Sequence, residues 1–124
     1  MAKCIIFLGS INAFFAVGLG AFGAHALKSR ISSEMLDVYQ TGVHYHIFHA
    51  LGLILIGIIA YWLSESNLVL WSGGLILAGI IVFSGSLYIL SISGIRAFGA
   101  VTPIGGVAFL AGWILLAYAA LKDF

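Results

Sequence analysis

Four histidines hold most of the chemistry in this chain: His25 stands alone, and His44, His46 and His49 fall within one short stretch. Gln40, Tyr88 and Arg96 add groups that can hydrogen-bond or carry charge. Imidazole titrates near neutral pH and is a common metal ligand, so three chemistries are open. They are a metal or haem site, a small-ligand or proton-responsive site, and hydrogen bonds between packed segments. On a helix, residues two apart point nearly opposite ways, so His44 and His46 do not share one ion, whereas His46 and His49 at i, i+3 can. Two histidines fall short of the four ligands of a closed zinc site, and His25 supplies a third only if it lies at the same depth. Cys4, the single cysteine, is remote in sequence, so no disulfide forms within the chain, and neither a metal nor another cofactor is called for. No nucleophile, base and orienting group occur together, and the expectation is a protein that is not an enzyme.

The elements that must position these residues follow from charge. Of 124 residues, 63% are hydrophobic and 7% charged, against about 25% charged in a soluble domain. The nine charges divide the chain at Lys3, at Lys28 to Asp37, at Glu65, at Arg96 and at Lys122-Asp123. Four uncharged stretches remain, each long enough to cross a hydrocarbon core of about 30 Å once and too short to cross twice. The prediction is an all-α, integral membrane four-helix bundle forming one domain over 1–124, with spans near 4–27, 43–63, 68–90 and 103–121. A soluble enzyme, a nucleic-acid partner and a disordered chain are excluded. The first stretch resembles a secretory signal ending in Ala24-His25-Ala26, but its apolar run is longer than a signal core and it is expected to remain as the first span.

Within this frame several local expectations arise. Ser32 or Ser33 caps a helix whose first turns carry Glu34 and Asp37. Residues 33–42 are amphipathic and read as a short interfacial helix before the second span, lying in the membrane surface or projecting from it. Residues 91–101 read as a loop, and Thr102-Pro103 as a helix start. Gly9, Ala13, Ala16 and Gly20 form one small-residue face, and Gly105, Ala108 and Gly112 another. Such faces allow close helix contact in lipid, and self-association through spans 1 and 4 is expected, giving a homo-oligomer. Asn12, about 12 Å in from Lys3, is expected to bond between helices. Trp62, Trp71 and Trp113 read as aromatic-belt residues.

Four spans bring the 28–42 and 91–102 segments to one side together with every histidine. No Asp, Glu, Lys or Arg falls near the midplane, where ion pathways are usually marked. The pointer is therefore a one-sided cluster of His25, Gln40, His44, His49, Tyr88 and Arg96, engaging a small ligand, a lipid headgroup or an ion. Arg96 serves there as an anchor for lipid phosphate or as a partner of Glu34 or Asp37. The competing reading is a structural or assembly protein with no ligand. Three cations on the histidine side (Lys28, Arg30, Arg96) against two opposite (Lys3, Lys122) place that side in the cytoplasm.

Four segments carry a family resemblance: Gly20-Ala-Phe-Gly-Ala-His-Ala-Leu-Lys28, Tyr39-Gln-Thr-Gly-Val-His-Tyr-His-Ile-Phe-His-Ala-Leu51, Phe83-Ser-Gly-Ser-Leu-Tyr88, and Thr102-Pro-Ile-Gly-Gly106 with Gly112-Trp113. In matching order along the whole chain, they resemble the YwdK/YgdD-type family of small bacterial membrane proteins, a domain of unknown function with eukaryotic transmembrane relatives. The resemblance implies a four-span protein of the bacterial plasma (inner) membrane. It implies no substrate and transfers no functional residue.

Overall fold

The computed structural model describes all 124 residues and contains four long helices, each apolar enough to cross a membrane: α1 (Ala2–Leu27), α2 (Ser33–Trp62), α3 (Asn67–Ser93) and α4 (Phe98–Asp123). The last turn of α1 (Gly23–Leu27) and the middle of α3 (Ile80–Ser84) are wound as π-helix. Successive helices run antiparallel through short turns. α2 and α3 form the centre, α1 packs chiefly on α2, and α4 packs chiefly on α3. The chain is a four-helix membrane bundle, as its charge pattern requires.

Ser32 caps α2, its hydroxyl accepting the Met35 N–H at 3.1 Å. From there α2 runs unbroken for 30 residues. Residues 33–42 are thus the first turns of one continuous helix, which excludes a separate helix lying flat and leaves the projecting arrangement of the two expected. Their apolar face explains the difference: Tyr39 is fully buried, and its hydroxyl donates to the Leu19 carbonyl of α1. A second correction follows from this continuity. With α2 about 45 Å long at 1.5 Å per residue, His46 and His49 stand near its mid-height rather than at an interface.

The other ends also depart from expectation. α2 closes with Ser64 and Glu65 in the left-handed region (φ 52° and 61°), Ser64 N–H donating to Tyr61 O and Glu65 N–H to Ala60 O. This is the paired bonding of a Schellman cap, formed here without glycine. α3 extends to Ser93 and is closed by Gly94 at φ 74°, so the expected 91–101 loop shrinks to 94–97. α4 begins at Phe98 through three i→i+3 turns. Thr102-Pro103 therefore lies inside a helix rather than at its start. Thr102 instead bonds across to Ser86 at 2.6 Å.

The seams show why glycine recurs. A Cβ on Gly9 would lie 2.9 Å from Ile54 N and 3.0 Å from Ala50 O, and one on Gly57 would lie 3.0 Å from Ile6 N. Backbone meets backbone between α1 and α2. Between α3 and α4, a Cβ on Gly112 would meet the Ile76 side chain at 2.8 Å, and one on Gly105 would meet the Phe83 backbone. Gly9, Ala16, Gly105 and Gly112 are all buried this way. The small-residue faces expected to join protomers are occupied within the chain. Large apolar side chains such as Phe14, Phe48, Leu110 and Leu121 point outward instead, as a bilayer solvent permits.

Candidate functional site

Polarity in this bundle lies inside. His46, His49, Ser72, Ser84, Ser86 and Ser91 are buried, and no buried side-chain nitrogen or oxygen lacks a partner. Ser72 donates to Gly112 O and Ser84 to Gly42 O, each at 2.8 Å. In lipid such bonds join helices, because water does not compete for them.

The two buried histidines make separate networks. Asn12 Nδ2 donates to Leu8 O at 2.8 Å, which leaves Oδ1 facing His46 Nε2 at 3.0 Å. That amide oxygen accepts, so Nε2 carries the hydrogen, and His46 Nδ1 accepts from the Tyr88 hydroxyl at 2.8 Å. His46 thereby ties α2 to α1 and to α3, and Asn12 bonds between helices as expected. His49 has the opposite tautomer. Its Nδ1–H donates to Tyr45 O at 2.7 Å, and Nε2 accepts from the Trp113 indole at 3.0 Å. All four ring nitrogens are engaged, so neither ring can take a metal without losing a helix contact. Trp113 is thus an interhelical donor at mid-helix and not a belt residue, whereas Trp62 and Trp71 are exposed near helix ends.

The six residues of the sequence-predicted cluster divide accordingly. His49 and Tyr88 are in the interior, in different networks. His25, Gln40, His44 and Arg96 are exposed on the surface, with no hydrogen bond or ion pair joining them. Arg96 does not pair with Glu34 or Asp37; the one ion pair joins the Met1 ammonium to Glu65 at 2.9 Å. Sequence reasoning left His46 out of the cluster after weighing its i, i+3 spacing to His49, and its bond to Tyr88, distant in sequence, carried no signal there. Glu65 was passed over too. It accepts Ala2 N–H at 2.8 Å, capping α1 from another turn, and these bonds hold its carboxyl below the ordinary 4.5.

What the structure does assemble is a groove between α2 and α4, over α3. It encloses about 510 Å³ and is lined by Tyr45, His49, Phe83, Pro103, Gly106, Val107, Phe109, Leu110 and Trp113. A depression of about 350 Å³ adjoins it, lined by His44, Tyr45, Phe48 and His49. Small-molecule sites typically enclose about 300–1,000 Å³. Tyr45, His49 and Phe109 lie nearly parallel, with interplanar angles of 6°, 14° and 18°, and the His49 and Phe109 rings stack at 3.6 Å. Gly106 opens the floor, since a Cβ there comes no nearer than 3.9 Å to Phe83. Thr41, His46 and His49 of α2 are hydrogen-bonded. The His44 ring, in the adjoining depression, and the Tyr45 hydroxyl have no hydrogen-bond partner in the chain.

A multi-pass bundle with this arrangement is a membrane protein, and comparison with known sequences places it among relatives. Residues 19–106 match the family model described as "Protein of unknown function (DUF423)". The chain is 53% identical over 120 residues to the UPF0382 membrane protein YwdK of Bacillus subtilis (strain 168), covering 97% of this chain and 98% of that protein. A UPF0382 membrane protein of Staphylococcus aureus (strain bovine RF122 / ET3-1) is 50% identical, with 97% of each chain covered. The chain belongs to this family of bacterial membrane proteins, as its four sequence segments implied. No solved structure matches it.

Proposed function

We propose that this protein binds an amphiphile of the bilayer in the lateral groove between α2 and α4, as a binding protein rather than an enzyme or a channel. One observation carries the reading: His44 and Tyr45 present unpartnered polar groups beside an open apolar groove, in a helix whose other polar side chains between Thr41 and His49 are bonded. An unpaired polar group at hydrocarbon depth is costly, and such a residue marks a functional position by default. Permeation through one protomer has less support, because the interior polar groups are bonded to one another. Lys28, Arg30 and Arg96 support a cytoplasmic placement of their end in the bacterial plasma membrane.

The test is extraction. Protein purified in mild detergent should carry an organic-soluble molecule near one-to-one, identified by mass spectrometry. Gly106→Phe, which fills the groove floor, should lose it while keeping its helicity. Equal lipid in both proteins would sink the proposal and leave the structural or assembly role, which the complete set of interhelical bonds favours.

A further inference from the structure

We infer that the groove takes one acyl chain of a bilayer phospholipid, whose ester carbonyl accepts from the Tyr45 hydroxyl and whose phosphate rests on Arg96. The inference rests on the lateral-groove reading above and deepens it by naming the occupant. Length and direction support it first. Along α4 the groove runs from Pro103 to Trp113, a rise of about 15 Å at 1.5 Å per residue. That is half of a hydrocarbon core of about 30 Å, the depth of a single leaflet. The Trp113 end is the closed one: a Cβ on Gly52 would meet the Trp113 ring at 2.8 Å, so the indole lies against α2, where it also donates to His49. Gly52 stands near the middle of the charge-free stretch between Asp37 and Glu65, which puts this stop at the bilayer midplane.

The open end has the matching chemistry. A core centred on that stretch reaches α2 near residue 41, so Tyr45 lies about 6 Å inside its boundary. There its hydroxyl and the His44 ring of the adjoining depression, both unbonded within the chain, are within reach of lipid ester carbonyls. Farther out, Lys28, Arg30 and Arg96 outnumber Glu34 and Asp37, and none of the five is ion-paired, since the one ion pair is at the opposite end. Arg96 belongs to the loop leading into α4, about 10 Å along the chain from Pro103, and a guanidinium holds phosphate with a fork of donors. A phosphodiester stays at the interface because burying its charge is prohibitive. Cation, carbonyl-binding hydroxyl and apolar slot thus follow one another toward the midplane in the order of phosphate, ester and chain in a phospholipid.

Trp113, at the closed end, provides the readout. The chain has three tryptophans, and Trp62→Phe with Trp71→Phe, both at exposed positions, leaves Trp113 alone. In mild detergent this parent protein is titrated with a phosphatidylglycerol brominated near the end of its acyl chain and, separately, with the methyl ester of the same brominated fatty acid; bromine quenches indole on contact. The expected result is saturable quenching by the phospholipid that is absent in Gly106→Phe. Half-saturation should need about five-fold more of the methyl ester, and about five-fold more phospholipid in Arg96→Gln or Tyr45→Phe. Arg96 is exposed, so its variant keeps the test open even if Gly106→Phe misfolds. Bromine moved to mid-chain should quench less, since Trp113 lies at the midplane end. Equal saturation by the two compounds, unchanged in Arg96→Gln, would overturn the phospholipid assignment and leave the groove reading standing. Stronger quenching from mid-chain, or a half-saturation that Tyr45→Phe leaves unchanged, would overturn the assigned pose and the inference with it. Linear quenching by both compounds would overturn both readings.

Discussion

Gly105 and Gly106 are neighbours in one helix and do opposite things. A Cβ on Gly105 would strike the backbone of Phe83, closing the α3–α4 seam, whereas one on Gly106 would meet only the Phe83 ring at 3.9 Å. The same contrast holds for whole seams. α1 on α2 and α3 on α4 meet glycine to backbone. α2 and α4 meet instead through side chains, the Trp113 to His49 hydrogen bond and the His49–Phe109 stack, and flank a groove of about 510 Å³. Closed seams have no solvent-like medium to fill them, so their glycines are steric requirements. The open seam keeps side chains that a packed one would exclude. The difference teaches that a small residue in a membrane helix signals closeness only when backbone or a packed side chain lies directly opposite, as Phe83 does at Gly105 and Phe109 at Gly79.

The largest test of this contrast is Gly105→Ala. Forcing a methyl group into the Phe83 backbone should cost on the order of 3 kcal/mol or more, while Gly106→Ala should change stability by less than about 0.5 kcal/mol. Unfolding by SDS in mixed micelles, followed by helicity, measures both. Equal effects would erase the distinction between the seams. Next is His46→Leu, which strands the Tyr88 hydroxyl and the Asn12 amide oxygen; about 1–3 kcal/mol should be lost. A double-mutant cycle with Tyr88→Phe should show a coupling of about 0.6–2 kcal/mol.

His49→Phe acts on the open seam and should cost less, about 1 kcal/mol for a single interhelical bond. The Trp113 emission maximum should shift as its indole N–H loses its acceptor; an unchanged spectrum would argue against the bond. Tyr45→Phe should leave stability within about 0.5 kcal/mol, since its hydroxyl has no partner in the chain, yet weaken amphiphile binding.

The smallest effect belongs to Glu65. Its folded carboxyl titrates below the ordinary 4.5 because Ala2 N–H and then the Met1 ammonium bond to the charged form. A depressed folded value means that the contribution is present above about pH 4.5 and is lost as pH falls through the folded value. Melting temperature should therefore drop slightly more on acidification in the parent than in Glu65→Gln. Parallel curves would show that the pair does nothing for stability, as is common for exposed ion pairs.

Much of the fold was readable from residue types. Charge spacing locates four spans because each Lys, Arg, Asp or Glu is too costly to leave in hydrocarbon. Ser32 reads as a cap because its hydroxyl can take a free helix N–H. Asn12 reads as an interhelical bonder because a lone amide in an apolar span needs a partner. Helix ends were less legible. Pro103 reads as a start because proline is tolerated in a first turn, but i→i+3 bonds from Phe98, Gly99 and Ala100 begin the helix earlier, and Thr102 bonds to Ser86 instead of capping. Residues 33–42 read as a surface helix because their polar face is visible in sequence, whereas Tyr39 reaching the Leu19 carbonyl is not.

The site was the least legible, and the reason is geometric. Side and depth can be estimated along one axis, so grouping His25, Gln40, His44, His49, Tyr88 and Arg96 was natural. Rotation about each helix and the choice of neighbour require all four helices at once. By itself, the sequence determined that the chain spans the membrane four times and that polar residues must find partners, because transfer of charge and unpaired dipoles into hydrocarbon is prohibitive whatever the fold. Tertiary structure alone decided which partners. It turned His46 toward Asn12 and Tyr88, turned His49 toward Trp113, closed the seam at Gly105 and left it open at Gly106, because side-chain contact depends on backbone separations of a few ångströms that no single helix encodes.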